Sequence, residues 1–149
     1  MVANPDVLTQ EIRIDAQPET VFSYFTDPAR MVRWKGRAAT LDPRPGGVYR
    51  VEVSDENVVV GEYVEVTPYS RVVFTWGWEN GQLPPGSTTV EIDLEPVEGA
   101  TLLRLTHRDL PTPESVAAHA EGWTHFLPRL AEVAAGGDPG PDPWAAGTS

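Results

Sequence analysis

The fold is decided by residues 112–134, whose sequence is TPESVAAHAEGWTHFLPRLAEVA. Thr112 followed by Pro113 is typical of a helix start, because threonine caps free amides and proline suits the first turn. From there a stripe recurs at steps of three and four residues. Its members are Val116, His119, Ala120, Trp123, Phe126, Leu127, Leu130 and Ala134. The stretch predicts one long amphipathic helix whose stripe packs against another element.

Upstream of this helix, apolar and polar residues alternate in short segments, which is the pattern of half-buried strands. The segments are residues 8–15, 38–42, 48–54, 58–66, 71–78, 88–94 and 101–107, with turn signals at 43–47, 55–57 and 98–99. Between the first two segments, Pro18 and Asp27 favour the starts of two short helices. The pattern predicts an antiparallel sheet of about six or seven strands.

These elements make an α+β plan in which the sheet has one face to cover and only the long helix can cover it. A curved sheet that grips one helix tends to leave a cavity, and such cavities bind small molecules. We assign residues 1–135 to this domain and residues 136–149 to a Pro/Gly-rich tail.

Composition excludes several function classes. The 149 residues contain no cysteine, so disulfides, thiolate zinc sites and cysteine nucleophiles are excluded. Twenty-two acids against 11 bases give a net charge of −11, which argues against nucleic acid or anionic membranes as partners. The strand acids Glu52, Glu91, Asp93 and Glu95 fall on the outward parity, as expected for a solvated outer face.

The location and source follow from weaker signals. No apolar stretch is long enough for a membrane span and the start of the chain has no signal-peptide pattern, so we expect a cytoplasmic protein. Lys35 is the only lysine among the 11 bases. This preference for arginine, with abundant Ala, Gly, Pro and Asp, is typical of a high-GC bacterial genome.

The candidate site is the predicted interface between sheet and long helix. Indoles offer rigid, flat surface, so we expect at least one of Trp76, Trp78 and Trp123 to contact a ligand, although core filling explains some of them equally well. The full candidate ligand-binding set is Trp34, Tyr49, Glu62, Phe74, Trp76, Trp78, Leu103, His107, His119, Trp123 and Phe126.

Three members of this set are polar, and each has two interpretations. His107 has inward parity near a strand end, where it is either a polar anchor or general acid/base, or a histidine bonded to backbone or solvent. His119 lies on the helix stripe, either lining the cavity or at its rim. Glu62 is in phase with Val64 and Val66, which predicts an inward carboxylate unless the strand parity differs. No histidine spacing supports a metal site, and no fingerprint of a cofactor is present.

A series of short motifs resembles the START-like (SRPBCC, Bet-v-1-like) helix-grip superfamily. Within it, the chain most resembles the family named after the C-terminal domain of the Hsp90 ATPase activator. The matching motifs are PETVF (18–22), FTDP (25–28), MVRW (31–34), PGGVY (45–49), GEYVEVTP (61–68), RVVFTW (71–76), TTVEI (88–92), GATLLRLTH (99–107), and Gly122-Trp123 with Leu127 and Leu130. The resemblance implies a helix-grip fold with a cavity, in a superfamily of ligand carriers, polyketide cyclases, regulators and a co-chaperone.

Three functions remain open from the sequence. The first is binding of a small hydrophobic or aromatic molecule between sheet and helix, by a monomer or homodimer without a cofactor. The second is a cyclase or hydrolase that uses the same cavity, which needs a histidine or carboxylate inside it. The third is a chaperone-associated interaction module, which needs an exposed apolar patch.

Overall fold

Seven strands and three helices form the part of the chain described by the computed structural model, residues 7–54, 57–79 and 83–140. In chain order they are β1 (Leu8–Ile14), α1 (Pro18–Thr26), α2 (Pro28–Met31), β2 (Ala38–Leu41), β3 (Val48–Glu52), β4 (Val58–Thr67), β5 (Arg71–Trp76), β6 (Thr88–Val97), β7 (Ala100–Arg108) and α3 (Pro113–Ala134). The predicted α+β class, the long last helix and the two short helices are confirmed.

The strands form one sheet in the order β1-β7-β6-β5-β4-β3-β2, and every neighbouring pair is antiparallel. From β2 to β7 the order follows the chain, as expected of a meander, and β1 adds to the β7 edge. The hairpin turn predicted at residues 55–57 includes residues 55 and 56, which lie outside the described ranges.

Helix α3 begins as its sequence predicts and packs its stripe inward. The Thr112 hydroxyl accepts a hydrogen bond from the Ser115 amide at 3.0 Å, and Pro113 occupies the first turn. The helix buries Trp123, Phe126, Leu127, Leu130 and Val133. These residues join the inner face of the sheet in a single core.

The outer face of the sheet carries the acids, as predicted, and pairs several of them with arginines. Arg71 lies within 3.2 Å of Glu65 and of Glu91 and 2.6 Å from Asp93. Arg108 adds a second contact to Glu91, at 2.6 Å. Arginines therefore neutralise part of the acidic outer face in a solvent-exposed ion-pair network.

The predicted inward position of Glu62 is wrong. Its side chain is exposed, whereas the next residue, Tyr63, is buried. The pairing of β4 with β5 shifts register between Tyr63 and Glu65. Such an irregularity reverses the side-chain parity, so Val66 packs on the core although Glu62, in phase with it by sequence, does not.

None of the helices within the described ranges is long and apolar enough to cross a membrane. The cytoplasmic location stays a prediction.

Candidate functional site

The only lysine of the chain lies inside the protein. Lys35 follows α2 in a turn where its amide donates to the Met31 carbonyl at 3.0 Å. Gly36 then adopts a φ of +81°, and a Cβ there would lie 2.7 Å from the Glu52 carbonyl oxygen. The turn therefore requires glycine at position 36. The Lys35 side chain is only 1 % exposed.

Aromatic rings surround the Lys35 amine. Its Nζ atom lies 3.8 Å from the ring centroid of Trp76 and 4.3 Å from that of Trp123. Phe126 and Trp34 follow at 5.5 and 5.9 Å. These rings come from the sheet, from α3 and from the turn after α2, so the amine lies where the three segments meet.

No hydrogen-bond acceptor in the described part of the chain reaches Lys35 Nζ. Burial of the amine without a counter-charge lowers the pKa of Lys35 well below its usual range, because desolvation disfavours the charged form. This pKa shift favours the uncharged amine over a wider pH range than for an exposed lysine. A lysine can lose its proton in this way, whereas an arginine cannot.

Two other donors in the core also lack partners. Trp76 Nε1 and Tyr49 Oη are buried and make no hydrogen bond with described residues. Tyr49 stacks on Phe74 at 4.1 Å, whereas its neighbour Tyr63 donates to the Phe25 carbonyl at 2.7 Å. Burial raises the pKa of Tyr49, so its phenol remains a donor. Buried polar groups without partners are rare in protein cores as a whole, and those that occur are often found at binding sites.

The Tyr49–Phe74 stack spans strand β4, which lies between their strands. Tyr49 faces Gly61 in the β3–β4 register. A Cβ at Gly61 would collide with the Thr75 carbonyl oxygen. Glycine therefore permits the close approach of β4 to β5 beside this stack.

His107 is fully buried and has both ring nitrogens engaged. Trp123 Nε1–H donates to Nδ1 at 3.2 Å, which requires the proton of the neutral ring on Nε2. The Nε2–H then donates to the Thr88 hydroxyl at 2.9 Å, and this hydroxyl donates to the Trp76 carbonyl at 2.8 Å. The pKa of His107 falls to about 2, chiefly through burial, with smaller effects of His119 and Lys35.

His119 has the opposite tautomer, which is likewise set by an indole donor. Trp78 Nε1–H donates to Nε2 at 3.1 Å, so Nδ1 carries the proton and donates to the Ser115 carbonyl at 2.8 Å. Burial lowers the pKa of His119 despite the hydrogen bond to Ser115. Both histidines are thus neutral rings held by indole donors, and their imidazole rings lie 5.0 Å apart.

The structure brings together most of the predicted site residues. A continuous group, the indole–imidazole cluster, consists of Trp76, Trp78, His107, His119 and Trp123, with neighbouring ring centroids 5.0–6.3 Å apart. Trp34, Tyr49, Phe74, Leu103 and Phe126 are buried in the same core. Glu62 lies apart from them, on the surface. Trp78 and His119 are only half-buried, so they form the rim of the cluster.

Arg129 connects α3 to the turn that carries Lys35. Its Nε donates to the Trp34 carbonyl at 3.2 Å, and its terminal nitrogens donate to the carbonyls of Pro139 and Gly140 at 3.4 and 2.9 Å. The first residues of the predicted tail therefore lie against α3 beside the Lys35 turn.

A separate surface pocket of about 340 Å³ contains none of the predicted site residues. It lies between the start of α1, the β4–β5 turn and β6, and its lining is Pro18, Glu19, Pro68, Tyr69, Ser70, Leu94 and Pro96. Within the described ranges, no group of three or more His, Asp or Glu side chains could hold a metal ion.

A seven-stranded antiparallel sheet that holds one long C-terminal helix against an aromatic core defines the helix-grip class of START-like proteins. Residues 15–135 match the family described as Activator of Hsp90 ATPase homolog 1-like protein. The chain belongs to this family.

Known relatives agree with this assignment. The chain is 48 % identical to an AHSA1-like protein from Rhizobium etli, with a TM-score of 0.75 over 92 % of this chain and 86 % of that one. CalU16 from Micromonospora echinospora is 27 % identical, with a TM-score of 0.74 over 91 % of this chain and 77 % of that one.

A curated relative is an uncharacterized Schizosaccharomyces pombe protein, 24 % identical over 129 residues. The match covers 85 % of this chain but spans only 36 % of the length of that relative.

Lys35 is the buried residue of this region, unpartnered within the described ranges, that the sequence-based candidate set does not include. Two features of the sequence could have indicated it. Lys35 is the one lysine among 11 bases, and it stands between Trp34 and a glycine. Composition alone explained this singularity as a genomic preference, and only the fold shows that the one lysine is buried.

Proposed function

We propose that this protein binds a small molecule with an aromatic or apolar body and an acidic or carbonyl oxygen, between the sheet and α3. The observation that carries the proposal is the Lys35 amine, buried among four aromatic rings without an acceptor. The unpartnered groups Lys35 Nζ, Trp76 Nε1 and Tyr49 Oη are all donors. A ligand that complements them supplies acceptors.

The rings around Lys35 provide the apolar part of such a site. Trp76 and Trp123 lie 5.1 Å apart between centroids, so the ligand gains access only when side chains move. The half-buried pair Trp78 and His119 offers the least costly movement, because a single 3.1 Å hydrogen bond joins their side chains. We place the route of access at this rim.

An acidic ligand should bring a proton with it. Burial lowers the pKa of Lys35 in the free protein and so favours its uncharged form, whereas a carboxylate beside Nζ raises the pKa of the amine. Binding at neutral pH therefore takes up about one proton per ligand, by linkage. Simple burial of an apolar molecule takes up none.

Calorimetry with 2-naphthoate tests this proposal, within a panel of aromatic and aliphatic acids and their methyl esters. Titrations in two buffers of different ionisation enthalpy give the proton count. We expect binding of the acid with uptake of about one proton, and no uptake with the ester.

Two variants separate the anchor from general effects of charge. Lys35→Met should abolish the proton uptake and lower the affinity for the acid about tenfold or more. Its affinity for the ester should stay unchanged. Arg33→Met, at an exposed position two residues away, is the matched control and should behave as the wild type. Absence of binding throughout the panel, or equal acid affinity in both variants, would contradict the proposal.

The two alternatives receive less support. The cyclase or hydrolase prediction depended on His107, His119 or Glu62 as the acid or base, but both histidines are engaged at both nitrogens and Glu62 is exposed. For an interaction module, the exposed large apolar side chains of the described residues are Val48, Val64 and Tyr69, which come from different elements. A monomer or homodimer remains the expected assembly.

A further inference from the structure

We infer that Lys35 is a nucleophile that holds an aldehyde or ketone ligand covalently, as a reversible imine at Nζ. This inference rests on the binding site proposed above and specifies the reactive class of its ligand. It goes beyond binding because it assigns a bond-forming role to a side chain.

The first support is the choice of residue. The chain uses ten arginines and one lysine, and the lysine occupies the buried position. Arginines meet the requirement for positive charge on the outer face, where Arg71 and Arg108 pair with carboxylates. A buried cation without a counter-charge is costly, so the position inside excludes arginine and accepts an amine that can be neutral.

The second support is the environment of the nitrogen. Imine formation needs an uncharged amine with its lone pair available, and in the described structure Nζ is buried without an acidic partner. An ion pair with a carboxylate would hold the amine protonated. Desolvated lysines in apolar pockets are activated as nucleophiles in this way.

The third support is the pair of unpartnered donors. Trp76 Nε1–H, on the indole beneath the amine, and Tyr49 Oη–H lack acceptors. A carbonyl oxygen accepts hydrogen bonds from such donors, and its polarisation favours attack at carbon. The described core thus offers the nucleophile and, on the adjoining Trp76 indole, an unpartnered donor for the oxygen.

The reaction needs no co-reactant. The Nζ lone pair attacks the carbonyl carbon, a C–N bond forms, and the C=O π pair moves to oxygen. One proton passes from nitrogen to this oxygen and gives the carbinolamine. The nitrogen lone pair then expels the oxygen, which leaves with the second amine proton as water, and the C=N bond remains. Hydrolysis reverses these steps and releases the ligand.

Trapping with 2-naphthaldehyde and sodium cyanoborohydride tests the inference, because the reductant converts an imine into a stable secondary amine. The chain offers only two amines, Lys35 and its own α-amino group. Peptide mass mapping separates the two products, and loss of tryptic cleavage after Lys35 gives a second readout. The same reaction in guanidinium chloride reports the reactivity of the unfolded lysine.

At pH 7 we expect Lys35 to be labelled at least tenfold faster in the folded protein than in the unfolded one. The unfolded lysine has a pKa of about 10.4 and is almost entirely protonated at this pH. Lys35→Met should lose this product and retain labelling of the α-amino group, and Arg33→Met should react as the wild type.

Labelling confined to the α-amino group, or faster labelling of Lys35 after unfolding, would overturn the inference. The acid titrations distinguish this failure from failure of the proposed function. If 2-naphthoate binds with proton uptake but the aldehyde is not trapped at Lys35, the site binds ligands without covalent chemistry. If neither occurs, both proposals are wrong.

Discussion

Among the described residues, basic side chains on the outer face of the sheet are paired with carboxylates, whereas the basic side chain in the core beneath it is not. Outside, Arg71 contacts three carboxylates, and the strongest of these hydrogen bonds, to Asp93, raises its pKa further. Inside, Lys35 has no carboxylate partner within the described ranges, and burial alone lowers its pKa. The outer-face charges are therefore paired in solvent, whereas the described part of the core holds an amine without a counter-charge, and unpaired buried groups of this kind are frequent at functional sites.

The substitution Lys35→Arg should have the largest effect on stability, because it places in the core the type of cation that the outer face holds in ion pairs. A guanidinium cannot release its proton, so the variant buries an uncompensated charge. We expect a loss of about 3–5 kcal/mol in the free energy of unfolding. Urea denaturation at pH 7 measures it, with Arg33→Lys as the exposed control. A loss below about 1 kcal/mol would mean that the core accommodates a cation.

Lys35→Met should instead raise the free energy of unfolding. Methionine fills a similar volume without a group to desolvate, so we expect a gain of about 1–3 kcal/mol at pH 7.

The pH dependence of this gain provides its control. Because the pKa of Lys35 is lower in the folded state, the unfolded state binds more protons between the folded pKa and about 10.4. Wild-type stability therefore rises with pH over this interval, and Lys35→Met should lack that rise. A destabilised variant, or an unchanged pH profile, would show that the amine is not neutral in the core.

Because both buried histidines are neutral, we expect the stability of the protein to fall at acidic pH, an effect intermediate in size among these predictions. Both have a lowered pKa in the folded state, to about 2 for His107. The unfolded state binds the extra protons below about pH 6.5, so stability falls as the pH drops from there, by about 1.4 kcal/mol per pH unit for each neutral histidine.

His107→Gln should reduce this slope, because the amide can accept from Trp123 and donate to Thr88 without titrating. Denaturation midpoints at pH 4, 5, 6 and 7 would show it. A wild-type profile that is flat between pH 4 and 6.5 would be inconsistent with neutral imidazoles.

Glu91→Gln, on the outer face, should have the smallest effect. Glu91 contacts Arg108 and Arg71, and the Arg108 hydrogen bond chiefly lowers its pKa. This contribution is present above about pH 4.5 and is lost as the pH falls through the lowered pKa. We expect a loss under about 1 kcal/mol at pH 7, reduced further by 0.5 M salt. A larger, salt-independent loss would indicate that the network is structural.

The fold was predictable from sequence because its signals are local. The caps at Asp27 and Thr112 are confirmed by hydrogen bonds to Ala29 and Ser115, and strand alternation correctly places Val90 and Leu105 in the core. Parity reasoning was wrong for Glu62, because a register irregularity between Tyr63 and Glu65 leaves no mark in the alternation itself.

The site was only partly predictable. The indoles and histidines were found by their periodicity, but their tautomers depend on which indole meets which ring. Trp123 comes to His107, and Trp78 comes to His119, only through packing of α3 on the sheet. Lys35 was missed because a charged residue after a short helix is ordinarily exposed, and its burial results from a turn at Gly36 and from aromatic rings distant in sequence.

The charge state of Lys35 in the folded, ligand-free protein tests the central claim most directly. With one lysine in the chain, a sample labelled with ¹³C-lysine gives a single Cε–Hε signal, whose chemical shift reports the protonation of Nζ. We predict the shift of a neutral amine at pH 7 and a midpoint well below the ordinary value of about 10.4. A signal that remains that of an ammonium group at pH 7 and titrates near 10.4 would contradict the account.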